Sequence, residues 1–268
     1  MRGLLDDAPR DSSRREPTWP RCVPARARTP LHRRRAAGGP SVISVAIIGP
    51  DGAGKSTITE LLEREHLPAP VKRIYMGVNL ESSSLMLPTT RLALRLKSAR
   101  GRRPDMVGPG AEQPAAPSGS PAKRAVRAGG RGVRLLLWVA EEWFRQLVAE
   151  YHRRRGAIVV FDRHFYADYF HVDAAPGRRS ASARLHGWLL KHAYPKPDLV
   201  ICLDAPGQVL FDRKGEASPE WLEQRRRQYL QLAAVLPDFV VVDVDRPLDV
   251  VTREVATVIT EFFEKRRT

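Results

Sequence analysis

Two cysteines in 268 residues leave disulfide chemistry almost nothing to work with. Cys22 and Cys202 are far apart, and neither has a metal-ligand spacing around it. A disulfide-stapled scaffold and a zinc finger are therefore excluded, and a reducing cytoplasm fits. No apolar run approaches the roughly 20 residues that cross a bilayer, so no membrane span is expected. The N-terminus is basic but lacks the apolar h-region of a secretory signal. Asp6, Asp7, Asp11 and Glu16 argue against a transit peptide, which is poor in acids. Acidic residues are in deficit overall: 30 Asp+Glu stand against 45 Lys+Arg, a formal charge of +15.

That deficit is local. Residues 1–40 hold ten Lys/Arg against four Asp/Glu, residues 91–134 hold eleven against two, and the remainder is balanced. A nucleic-acid-binding fold carries its positive charge on a folded face. Here the excess sits in stretches with little to bury, so nucleic acid is not the expected partner. Weak attraction of these stretches to phosphate backbones or anionic membranes stays open. Residues 1–40, rich in Arg, Pro, Ala and Ser, read as a disordered basic tail. Residues 98–130 run through Gly, Pro, Ala, Ser and Arg without periodicity and read as a flexible basic insert. The folded domain spans 41–268.

Within it, β-branched or apolar runs predict strands over 42–48, 71–76, 157–161, 198–203 and 239–244. Helical patterns fill 133–155, 183–193, 208–213, 219–236 and 247–265. In the first of these, Leu136, Val139, Trp143 and Leu147 trace one face. Ser218-Pro219 reads as a cap and first turn. Strands alternating with helices predict an α/β fold of three layers, a five-stranded parallel sheet with helices on both faces. Its site belongs at the carboxyl ends of the strands.

The densest motif lies after the first strand. Residues 49–56 read Gly-Pro-Asp-Gly-Ala-Gly-Lys-Ser, with Thr57 next, a complete GxxxxGK[ST] phosphate-binding loop. Ile58, Leu61 and Leu62 follow at helical spacing. Gly49, Gly52, Ala53 and Gly54 allow successive N–H groups to turn around a phosphate, and the helix end adds positive charge. Lys55 reaches the β/γ-phosphates and Ser56 holds Mg²⁺. A nucleoside triphosphate is the expected ligand.

Asp162-Arg163-His164 follows the third strand. Asp162 there suits Mg²⁺, and Arg163 suits bidentate pairing with a phosphate. His164 reads as a proton-transfer group or a packed imidazole. Asp204 reads as a steer for metal-bound water or a turn cap. Asp51, inside the loop, reads as an acceptor-orienting acid or a turn residue. Arg213, Lys214 and Arg225 to Arg227 flank residues 215–219, a layout that suits a small lid able to bring cations to a transferring phosphoryl group. Phe165, Tyr166, Tyr169 and Phe170 read equally as a stacking platform or as core.

These residues together resemble the thymidylate kinase family of P-loop kinases. The likeness runs through residues 49–57, Asp162-Arg163-His164, residues 197–206, Arg213-Lys214-Gly215-Glu216, Tyr229 and residues 241–251. It implies a P-loop NTPase fold and ATP/Mg²⁺-dependent phosphoryl transfer from a nucleotide donor to a small acceptor, a nucleoside monophosphate. It implies donor and metal contacts from Lys55, Ser56 and Thr57, an acceptor contact from Arg163, and lid roles for Arg213 and for Arg225 or Arg226. It also implies a homodimer. The chain departs from the family where Ile48 replaces a Glu, where Met76-Gly77-Val78-Asn79 replaces Arg-Glu-Pro-Gly-Gly, and where Glu141 falls at or near an arginine position, with Arg145 one turn on. His171-Val172-Asp173 stands in the region of a Tyr-Gln-Gly. Two alternatives stay open: a kinase acting on a sugar or metabolite hydroxyl, and a nucleotide-binding module without turnover.

Overall fold

The computed structural model describes residues 43–65, 67–77, 85–88, 90–92, 121–165, 167, 181–236 and 238–268. The tail at 1–40, Tyr166, Tyr169, Phe170 and most of the insert lie outside them. Five strands form one sheet: β1 Ser44–Ile48, β2 Val71–Tyr75, β3 Ile158–Asp162, β4 Leu199–Asp204 and β5 Phe239–Asp243. All pairings are parallel and the order is β2-β3-β1-β4-β5. Each predicted strand is present, within one or two residues at its ends.

Alternation along the strands sorts the core into two layers. Val45, Ile47, Ile158, Val160, Ile201 and Leu203 pack with Ile58 and Leu62 of helix α1 (Lys55–Leu62) and with Val255 and Ile259 of helix α6 (Leu248–Lys265). Ala46, Ile48, Val159, Phe161, Val200 and Cys202 face the other way, toward Trp138 and Ala149 of helix α2 (Pro121–Arg154) and Leu190 of α3 (Ala181–His192). Because β1 and β3 are buried on both faces, their sequences show continuous apolar runs rather than alternation. Each fully buried Ile or Leu contributes about 1.5–3 kcal/mol. Helices α4 (Gly207–Lys214) and α5 (Pro219–Gln231) complete the fold beside β4. Among the described residues no helix is long and apolar enough to cross a membrane.

Helix α2 differs from expectation twice. It begins at Pro121, within the stretch read as insert. Proline suits a first helical turn and Ala122, Ala125 and Ala128 favour helix, but Gly129, Gly130 and Gly132 hide the pattern. Second, its apolar stripe faces outward: Leu136 is 70% and Leu147 63% exposed. The buried face instead carries Trp138, Glu141, Glu142, Arg145, Gln146 and Ala149. Hydrogen bonds make that polar face tolerable. Glu142 accepts from Trp138 Nε1 (2.9 Å) and from Tyr194 Oη (2.6 Å), and lies 3.1 Å from His186 Nε2. Burial first, then Glu142, pushes the Tyr194 phenol well above its ordinary value.

Candidate active site

The loop at 49–56 turns from the end of β1 into α1. Gly49 and Gly52 hold φ of 142° and 87°. A Cβ on Gly49 would stand 2.4 Å from the Leu203 carbonyl oxygen, and one on Gly52 2.6 Å from that of Leu210. Backbone on both sides leaves room only for glycine, so the loop is pressed against the end of β4 and against α4. Gly54, left-handed at φ 78°, opens α1 without a side-chain cap. The first N–H groups of a helix have no intrahelical partner, and α1 turns that positive end to the loop.

Lys55 is nearly buried. Its Nζ donates to the carbonyls of Gly49 (2.7 Å) and Pro50 (2.6 Å) and lies 3.8 Å from Asp51. Ser56 and Thr57 are exposed at the helix start. Ser56 Oγ donates to Asp162 Oδ1 at 3.3 Å, so β3 delivers its terminal carboxylate to the loop. Two hard oxygens at a strand edge fit Mg²⁺, which takes few protein ligands and fills its octahedron with water and phosphate oxygens.

Arg163 follows with φ 64°, a conformation that a non-glycine residue seldom adopts. Its N–H donates to Ile47 O at 3.2 Å. The guanidinium Nη2 donates to Asp51 Oδ1 at 2.8 Å. Burial would raise the Asp51 carboxyl, but Lys55, Arg163 and Lys214 outweigh it and hold it below the ordinary carboxylate value. Asp51 thus stands between Lys55 and Arg163.

The other candidates take different places. His164 is fully buried, stacked on Phe165 with ring centroids 4.6 Å apart, and burial pushes its imidazole down to about 3. A ring held neutral in the core supports the packed reading, and Phe165 is core with it. Arg213 Nη2 donates to Val244 O at 2.8 Å, and Lys214 pairs with Glu216 at 2.8 Å. Arg225 lies over the Trp221 and Tyr229 rings. Arg226 makes a bidentate pair with Asp204, at 2.7 and 2.9 Å, and a further bond to Glu223. Asp204 therefore spends both oxygens on Arg226. Glu223 also accepts from the Gly207 N–H, which ties α5 to the start of α4. Between these helices Gly215 and Ala217 are both left-handed, and Ser218 caps α5 as its sequence predicts.

Two arrangements escaped the sequence reading. Glu141 accepts from the Leu87 N–H (3.0 Å) and lies 3.6 Å from Arg145, which donates to the Gly77 carbonyl at 3.1 Å. The position near the family's arginine thus holds a buried carboxylate that supports backbone. Tyr75 ends β2 in register with Asp162. Its place at the carboxyl end of a parallel strand was the available signal.

No protein-family model matches the chain, and no curated protein matches it in sequence. Among solved structures it is similar to the thymidylate kinase of Candida albicans, with a TM-score of 0.51 and 19% identity over 85% of this chain and 94% of that one. It is also similar to the deoxyadenosine kinase of M. mycoides solved with bound dATP, with a TM-score of 0.44 and 14% identity over 81% of this chain and 98% of that one. The first likeness shows a shared fold, the P-loop three-layer fold.

Proposed function

We propose that the protein is an ATP/Mg²⁺-dependent kinase that transfers a phosphoryl group to a nucleoside monophosphate. The observation that carries the reading is the meeting of the phosphate loop, Lys55 and Ser56 with Asp162 at one sheet edge. Such chemistry needs positioning and charge neutralisation more than covalent catalysis. When bound, Mg²⁺ would neutralise charge on the donor phosphates, and Ser56 and Asp162 would hold it. Gly49 to Gly54 and Thr57 would cradle those phosphates. Lys55 would leave the Gly49 and Pro50 carbonyls for the transferring group. Arg163 would exchange Asp51 for the acceptor's phosphate. Arg213 sits at the base of the lid, 215–219, while Arg226 anchors it. The thymidylate kinase of shared fold supports a nucleotide acceptor. A hydroxyl acceptor is the second reading, favoured by the absence of an arginine at Glu141 and of Arg-Glu-Pro-Gly-Gly at residues 76–79.

The test is ADP production with Mg·ATP against a panel of nucleoside monophosphates, dTMP included, beside Lys55→Ala. Turnover with one of them, lost in the variant, supports the reading. ATP binding without turnover on any of them moves the assignment to hydroxyl acceptors or to a non-catalytic module. A cytoplasmic homodimer belongs to the same proposal. Exposed Leu136, Leu147 and Tyr151 on α2 support it, and light scattering over a concentration series checks it.

A further inference from the structure

We infer that Tyr75 is an acceptor-contacting residue, the partner of Arg163 in a subsite for an anionic group such as a phosphomonoester. The inference rests on the kinase reading and adds to it a residue that no motif marks. Three observations converge on it. First, β2 and β3 pair in parallel with Tyr75 opposite Asp162, and register partners project to the same face. Tyr75 therefore stands beside Asp162 at the carboxyl edge, one strand further out, and Ser56 of helix α1 reaches the same Asp162.

Second, the phenol and the Arg163 stem close on one point. A Cβ on Gly77 would stand 2.6 Å from Tyr75 Oη and 2.8 Å from Arg163 Cδ. Gly77 lies outside the left-handed region, so its backbone does not require glycine. A methyl there would instead meet these two side chains, which can swing aside without moving backbone. The Tyr75 hydroxyl and the stem that carries the Arg163 guanidinium thus approach the same point beside Gly77. Third, the point itself is held from below, since buried Arg145 donates to the Gly77 carbonyl. Gly77 is thus the floor on which both groups rest. A hydroxyl donor beside a guanidinium is chemistry suited to phosphate oxygens.

The sheet order separates this place from the lid. Tyr75 lies on outermost β2, and the lid lies beside β4 on the far side of β1. The donor's phosphates belong to the loop after β1, so the group held by Tyr75 and Arg163 is the acceptor's.

The experiment titrates inorganic phosphate into the full chain saturated with Mg²⁺ and a non-hydrolysable ATP analogue, which fills the donor side. Tyr75→Phe keeps the ring and removes only the donor. Phosphate affinity should fall about tenfold, the loss of one charge-assisted hydrogen bond. Gly77→Ala, which pushes both side chains away, should cost at least as much. Analogue affinity and melting temperature should be unchanged in both. Wild-type phosphate affinity retained in Tyr75→Phe overturns the inference and leaves the kinase reading standing. So does a nucleotide-loaded wild type that takes up no phosphate at tens of millimolar. Failure of the wild type to bind the ATP analogue overturns the kinase reading itself.

Discussion

Arg226 separates a catalytic lid from a structural one. As a cation delivered to a transferring phosphoryl group, it would be worth about 10³–10⁵ in turnover. The structure gives it another task. Its two nitrogens meet both oxygens of Asp204, a third bond reaches Glu223, and both partners in the main pair are largely buried. Removing it leaves the Asp204 carboxylate at the end of β4 without its counter-charge. Such a loss costs about 2 kcal/mol, toward the middle of the range for hydrogen bonds to charged groups. In a domain of this size that lowers the melting temperature by roughly 4–8 °C. Arg226→Ala, Asp204→Asn and the double variant should be melted side by side, with turnover measured in each. The double variant should be more stable than the sum of the single losses predicts, by about 1–2 kcal/mol. Turnover of Arg226→Ala, measured well below its melt, should stay within about tenfold of wild type. An unchanged melt with a thousandfold loss of turnover would refute the structural assignment.

Further outcomes follow from the same geometry. Gly52→Ala places a Cβ 2.6 Å from a backbone oxygen at φ 87°, so it should abolish nucleotide binding and lower the melt; a variant that binds ATP normally would show that the loop is free to move. His164 has a folded pKa of about 3, below its unfolded value near 6.5. Its contribution is therefore complete above that unfolded value and drains as pH falls, by about 2 kcal/mol between pH 7 and 5. Denaturant melts of His164→Phe should show that much less acid sensitivity, and parallel curves would contradict it. Asp51 has the depressed pKa of a paired carboxylate, so its contribution persists above about 3.9 and is lost only as pH falls through the lower folded value; Asp51→Asn should flatten only that acid limb. Tyr194→Phe removes one of the two partners of Glu142 Oε2, leaving His186 beside it, and should cost about 1 kcal/mol on chemical denaturation.

Much of this architecture was legible in the chain because its signals are local. Strand β3 is apolar at every position before Asp162 and β1 at every position after Ser44, and that pattern follows from burial on both faces. The phosphate loop is contiguous, so its chemistry can be read without knowing the fold. The lid was harder. Arg226 and Asp204 stand 22 residues apart and Arg213 and Val244 stand 31 apart, so the partners that claim those cations appear only when the chain folds. Helix α2 misled most, because the stripe through Leu136 and Leu147 is exposed and its buried face, Trp138 and Ala149 apart, is polar. Periodicity shows which residues share a face, and the neighbours decide which face is covered.

That buried polar face has a physical reason, which a double substitution tests. Two buried charges are costly, and a well-packed apolar pair in place of an ion pair often stabilises a protein by about 1–4 kcal/mol. Glu141 and Arg145 form such a pair, yet each also serves backbone, at Leu87 and at Gly77. Replacing them with Leu and Met would strand one N–H and one carbonyl, at about 1–3 kcal/mol each. The two losses together, about 2–6 kcal/mol, exceed the gain by only about 1–2, so the melt of Glu141→Leu/Arg145→Met should fall by no more than a few degrees. The position of Gly77 would no longer be held, and with it the floor under Tyr75 and Arg163. Acceptor affinity should then fall while binding of the ATP analogue persists. A large drop in the melt would mean that the pair serves stability first. A melt lowered only that far with unchanged phosphate affinity would mean that Gly77 keeps its place without Arg145. The combination of a nearly steady melt with weakened phosphate binding is what a helix kept polar for positioning requires.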